Sequence, residues 1–122
     1  MLKDCDLING CLTVKKINNL HAVLLYVQSD RTVLSLDIRN NHIDNEGLIA
    51  IAAILPGSNL QSINVSHNRI DSEGIRKFAS VLARSDLLSL NVSHNRIDDD
   101  GIHAIAAILP ESKLQSLNIY GT

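Results

Sequence analysis

The chain restarts every 27 residues. Val33, Leu60, Leu87 and Leu114 open successive copies, so three full units run 33–59, 60–86 and 87–113 and a partial fourth runs 114–122. Copies two and three share Asn-Val-Ser-His-Asn-Arg-Ile-Asp at 64–71 and 91–98, and copies one and three share Ala-Ile-Ala-Ala-Ile-Leu-Pro at 50–56 and 104–110. No insertion disturbs the register. A unit of this length cannot bury its own apolar face, whereas stacked units share one continuous interior. The repeat therefore predicts a single domain built as a solenoid.

Each unit opens with alternating apolar and polar residues, such as Leu36-Asp37-Ile38 and Leu90-Asn91-Val92, the pattern of a half-buried strand. Val33, Leu36 and Ile38 are expected to face the core, as are Leu60, Ile63, Val65 and Leu87, Leu90, Val92. Asn41, Asn68 and Asn95 occupy one slot. An amide there can satisfy the backbone where the strand turns away and bridge to the next copy. A helical run follows, with apolar spacing as in Ile102, Ile105, Ala106 and Leu109. Acids precede it, Asn45, Ser72 and Asp99 are the expected N-caps, and Pro56 and Pro110 mark its end. Strands repeat at about 4.8 Å and helices at about 10 Å, so the stack must curve with the strands inside.

Composition supports many similar small layers. Trp is absent and the aromatics are only Tyr26, Phe78 and Tyr120, so Leu, Ile, Val and Ala must fill the core. A net charge of −2 supplies no field to gather nucleic-acid phosphates. The first residues, Met1-Leu2-Lys3-Asp4-Cys5-Asp6, carry acids where a secretory signal needs a basic patch and an apolar run. No apolar stretch is long enough to span a bilayer. A soluble intracellular protein with free thiols at Cys5 and Cys11 is expected, without nucleic-acid or membrane partners.

The pattern Leu-x-x-Leu-x-Leu-x-x-Asn-x-Leu, with Ile or Val allowed, resembles the leucine-rich repeat signature over residues 33–119. The continuation Asn41-x-Ile43-x-x-x-Gly47-x-x-x-Ile51-x-x-x-Leu55 is similar to the ribonuclease-inhibitor-like subclass. The resemblance implies an α/β fold, a right-handed strand-helix solenoid with a parallel concave sheet and convex helices. It also implies a protein-binding role in a cytoplasmic setting, or inside a host cell for a host-directed bacterial protein.

The two ends depart from the repeat. Residues 1–32 are expected to cap the first copy, with a helix over about 15–28 in which Leu20, Val23, Leu24 and Val27 face inward. Leu7–Val14 reads as extended chain broken at Asn9-Gly10, either a hairpin or a bent cap strand. The fourth copy reaches Thr122 with no helix to cover Leu114, Leu117 and Ile119. An open strand edge is a pairing template. Self-association through residues 114–120 as a two-fold homodimer is one expectation; a frayed terminal strand or a piece of a longer repeat protein are the others.

The outward strand positions form columns of Ser and Asn: Ser35, Ser62, Ser89 and Ser116; Asp37, Asn64, Asn91 and Asn118; Arg39, Ser66, Ser93 and Tyr120. Protein hot spots favour Trp, Tyr and Arg. Arg39 and Tyr120 are thus the expected anchors, with Asp37, Asn64, Ser66, Asn91, Ser93 and Asn118 around them and Arg69 and Arg96 near the rim. His67 and His94 share a slot about 5 Å apart in adjacent coils. His42 is offset by two positions, and His21 and His103 are placed on helix surfaces. A zinc site needs three or four converging ligands, and no Cys or carboxylate shares that slot. Asp98-Asp99-Asp100-Gly101 lacks the alternation and distal Glu of a calcium loop and aligns with helix-start acids at Asp71-Ser72-Glu73-Gly74. Ser89 or Ser93 as a nucleophile would need a histidine base in one cleft, yet His94 follows Ser93 directly and should face away. No glycine-rich phosphate loop is present. The expectation is a non-enzymatic protein-binding module with no cofactor, no metal and no catalytic residue; a regulator of a small GTPase is the alternative the resemblance allows.

Overall fold

A computed structural model of the chain describes residues 4–122; residues 1–3 of the expected cap lie outside it. Among the described residues six strands form one sheet in sequence order: β1 (Cys5–Ile8), β2 (Cys11–Val14), β3 (Ser35–Asp37), β4 (Ser62–Asn64), β5 (Ser89–Asn91) and β6 (Ser116–Asn118). β1 and β2 are antiparallel and every later pair is parallel. Four helices alternate with the strands from β2 onward: α1 (Leu20–Ser29), α2 (Asn45–Ile54), α3 (Ser72–Leu82) and α4 (Asp99–Ile108). The sheet registers Ser35 on Ser62, Ser62 on Ser89 and Ser89 on Ser116, which is the 27-residue period expressed as hydrogen-bonded geometry.

The cap resolves both alternatives left by its sequence. Asn9 and Gly10 both take positive φ, 51° and 80°, as a two-residue hairpin turn with the strand twist demands, so Leu7–Val14 belongs to a hairpin. α1 begins at Leu20 rather than near residue 15, because Asn19 is its N-cap and accepts the Ala22 N–H at 3.2 Å. The other helices are capped one residue earlier than expected. Asp44, Asp71 and Asp98 are the N-caps, not Asn45, Ser72 and Asp99. A carboxylate at that position accepts the free N–H groups of the first turn and meets the positive end of the helix.

Asn45 and Ser72 instead bind across coils. The Asn45 amide donates to the Asp71 carboxylate at 2.7 Å and accepts the Asp71 N–H at 3.0 Å. The Ser72 hydroxyl does the same one coil later with Asp98, donating to its carboxylate and accepting its N–H. These bonds, from the Asn45 amide and the Ser72 hydroxyl respectively, hold the Asp71 and Asp98 carboxyls below the ordinary aspartate range. Gly74 and Gly101 make room for this: a Cβ at Gly74 would overlap the Asn45 amide, and one at Gly101 the Ser72 hydroxyl.

The interior is aliphatic and continuous. Leu12, Leu36, Ile63 and Leu90 stack from strand to strand, and Ile51, Phe78 and Ile105 occupy one helical slot in successive coils, all buried. Beside this core runs the asparagine column. Asn68 accepts the N–H groups of Asn41 and Ile43 and donates to the carbonyls of Ile38, Val65 and Ser66, so one buried side chain serves both its own turn and that of the preceding coil. Asn95 repeats the pattern toward Ile70, Val65, Val92 and Ser93. Asn41 ties the first coil to the cap through the Ile17 N–H and the Val14 carbonyl. No described helix is long and apolar enough to cross a membrane.

Removing the Asn68 side chain leaves several backbone groups buried and unpaired, each carrying a desolvation cost. Asn68→Ala should therefore lose about 3 kcal/mol of stability, measured by urea unfolding, whereas Asn59→Ala, an exposed amide, should lose under about 1 kcal/mol.

Candidate functional site

The outward strand columns are less free than their sequence implies. At the end of each strand an Asx side chain folds back on its own turn. The Asp37 carboxylate accepts the Arg39 N–H at 3.3 Å, and the amide oxygens of Asn64, Asn91 and Asn118 accept the N–H groups of Ser66, Ser93 and Tyr120 at 3.0 Å. This is an Asx-turn repeated four times.

Two of the expected partner contacts are corrected by this geometry. Ser66 is only 3 % exposed and Ser93 only 5 %, and the Ser93 hydroxyl donates to Asn91. Both short serine side chains are thus enclosed, whereas the longer Arg39 and Tyr120 side chains at the same slot, behind the same turn, reach solvent. Asp37, Asn64 and Asn91 are half-buried, while Arg39, Asn118 and Tyr120 are exposed, Tyr120 at 75 %. Arg39 leans on Asp37, its Nε 3.5 Å from the carboxylate. Leu114, Leu117 and Ile119 at the end of the stack remain half-buried, although their counterparts Leu87, Leu90 and Val92 in the preceding coil are fully enclosed.

Just past the strand ends the chain adopts left-handed backbone at one slot of every coil: Asn40 at φ 57°, His67 at 54°, His94 at 53° and Gly121 at 70°. Asn, His and Gly are residue types that tolerate this region. The two histidines lie ring on ring, centroids 4.3 Å apart with planes 15° from parallel. Tyr120 meets the His94 ring edge-on at 5.6 Å and 75°. The result is an exposed ladder of three rings across adjacent coils, a favourable aromatic arrangement. Sequence spacing places the histidines together but not Tyr120, which sits one residue before the histidine slot; its signal is that Gly121, falling in that slot, leaves the neighbouring ring room.

Two residues beyond the histidines, Arg69 and Arg96 form a second exposed column. Their backbones are pinned to the preceding coil, the Arg69 N–H to Ile43 and the Arg96 N–H to Ile70, both at 2.7 Å. Neither guanidinium makes an ion pair among the described residues. A shallow groove of about 460 Å³ on the helix side of Arg69 is bordered by Asp44, Glu46, Asp71 and Glu73. A second, of about 430 Å³, lies between Leu55, Pro56, Leu60, Val81, Arg84 and Leu87, away from the sheet face.

No reactive constellation accompanies these surfaces. Among the described residues no three His, Cys, Asp or Glu side chains gather as metal ligands. Cys5 and Cys11 are both free, and partial burial together with Asp6 and Asp4 pushes the Cys5 thiol up, away from the thiolate form.

A Cβ on Gly121 would lie 2.7 Å from His94 Nδ1 and would sit at positive φ. Gly121→Ala should therefore cost about 1 kcal/mol by thermal melting and displace the Tyr120 ring from His94, seen as loss of their inter-ring nuclear Overhauser effect.

Comparison with known proteins agrees with this architecture. A leucine rich repeat family model matches residues 29–52, 58–79 and 85–106. No curated protein sequence matches the chain. Among solved structures, the chain is similar to one titled leiomodin-1 actin-binding site 2 (ABS2), with 24 % identity and a TM-score of 0.75 over 83 % of this chain. It spans 61 % of the length of that structure, and at this identity the likeness shows the fold alone. With three separate matches that together cover more than half of its residues, each on one strand-helix coil, the chain belongs to the leucine-rich repeat family.

Proposed function

We propose that the protein is a non-catalytic interaction module that binds a partner protein across its concave strand face, through Arg39 and Tyr120 with Asp37, Asn64, Asn91 and Asn118 beside them. One observation carries the reading: an Arg and a Tyr, two of the residue types enriched at interface hot spots, stand exposed at opposite ends of one column, on a face otherwise made of Ser, Asn and Asp37. A strand and a full helix in every 27-residue coil support placement in the ribonuclease-inhibitor-like subclass. The actin-binding title of the leiomodin-1 structure makes actin the first defined partner to test. Co-sedimentation with actin filaments, beside capture of partners from cytosol, should yield a protein retained by the wild type and lost with Arg39→Ala plus Tyr120→Ala. Equal retention by the double variant would remove the concave face from the account.

The same chain is proposed to self-associate through its last strand. Leu114, Leu117 and Ile119 are incompletely covered, and an antiparallel two-fold pairing of β6 would keep their inward faces aligned across the axis. Light scattering at tens of micromolar should report a dimer, and Leu117→Lys should return the monomer mass. A monomer for the wild type at that concentration would end this part of the proposal.

A further inference from the structure

We propose that the exposed columns His67–His94 and Arg69–Arg96 receive a carboxylate-bearing, extended segment of the partner protein. The inference rests on the protein-binding reading above and names the chemistry of what is bound.

Along the loop after β4, Ser66, Asn68 and Ile70 are buried while His67 and Arg69 are exposed, and the loop after β5 repeats this with His94 and Arg96. His67 and Arg69 thus stand exposed in one coil, and His94 and Arg96 at the same positions in the next. The guanidinium groups project from backbones fixed in register by hydrogen bonds to Ile43 and Ile70, and neither is neutralised by an ion pair among the described residues. A carboxylate accepts two parallel N–H bonds from a guanidinium, a geometry that a single ammonium cannot supply. The stacked imidazoles beside them present exposed ring edges, whose C–H and nitrogen atoms can meet the intervening side chains of an extended segment.

The surroundings select a peptide over a nucleic acid. Asp71 and Asp98, two residues past the arginines, are occupied as helix caps, and Asp44 and Glu46, with Glu73 paired to Lys77, flank Arg69 on its helix side. A polyanion charged at every step would meet these carboxylates as well as the arginines. A peptide with a few spaced carboxylates, approaching from the sheet side, reaches the arginines first.

The test is fluorescence anisotropy at low ionic strength with a labelled ten-residue peptide in which glutamate alternates with serine. Saturable binding is expected, weakening with added salt and about tenfold weaker for Arg69→Gln plus Arg96→Gln, with His67 and His94 ring resonances shifting on titration. Both arginine side chains are exposed, so the double variant should keep its circular dichroism spectrum and melting temperature. Lys16→Gln plus Arg84→Gln, an equal change of charge elsewhere, should bind as the wild type does. The proposal is overturned by equal weakening in that control, or by unshifted histidine resonances. Tighter binding of a short oligothymidylate than of the peptide overturns it too. A captured partner that is lost with Arg39→Ala plus Tyr120→Ala, yet kept by Arg69→Gln plus Arg96→Gln, overturns the acidic-segment proposal and leaves the concave-face reading standing.

Discussion

One buried amide per coil holds this molecule together as a stack. Asn68 and Asn95 each satisfy the turn that ends their own strand and also the backbone of the coil before, so no coil completes its hydrogen bonds alone. Aliphatic burial drives the coils together but is indifferent to offset. The amide ladder is directional, and with the parallel strand register it fixes each coil one full repeat from its neighbour.

A second set of links works at the helix starts. Asn45 reaches Asp71 and Ser72 reaches Asp98, so the capping of each helix depends on the coil behind it. Gly74 and Gly101 serve this contact rather than any turn, since a side chain there would displace the bridging group and, at Gly101, the Ile97 methyl as well. The two link systems run in opposite directions along the chain, the buried amides reaching back to the preceding coil and Asn45 and Ser72 reaching forward to the next, which makes the coils cooperative neighbours rather than independent beads.

Much of this was legible before any coordinates. The inward residues, the parallel stack, the role of the asparagine slot and the shared place of His67 and His94 all follow from period and residue type. What escaped was local. Asp44, Asp71 and Asp98 displaced the expected caps because two adjacent residues in each coil have capping chemistry, and spacing cannot tell which one faces its own helix. Ser66 and Ser93 read as exposed when strand alternation is extended past Asn64 and Asn91, where the strands end; at that slot a short serine is enclosed while Arg39 and Tyr120 reach solvent. Tyr120 against His94 depends on a ring reaching across slots, which no one-dimensional register encodes.

The left-handed slot carries a consequence for how such a surface can change. Its backbone restricts which residues are tolerated, yet histidine satisfies that restriction and at the same time projects a ring that meets its counterpart one coil away. Duplicating a single 27-residue segment would therefore add another rung without retuning anything already in place. Recognition area in this architecture can grow by gene-segment copying, and its specificity can then be edited rung by rung.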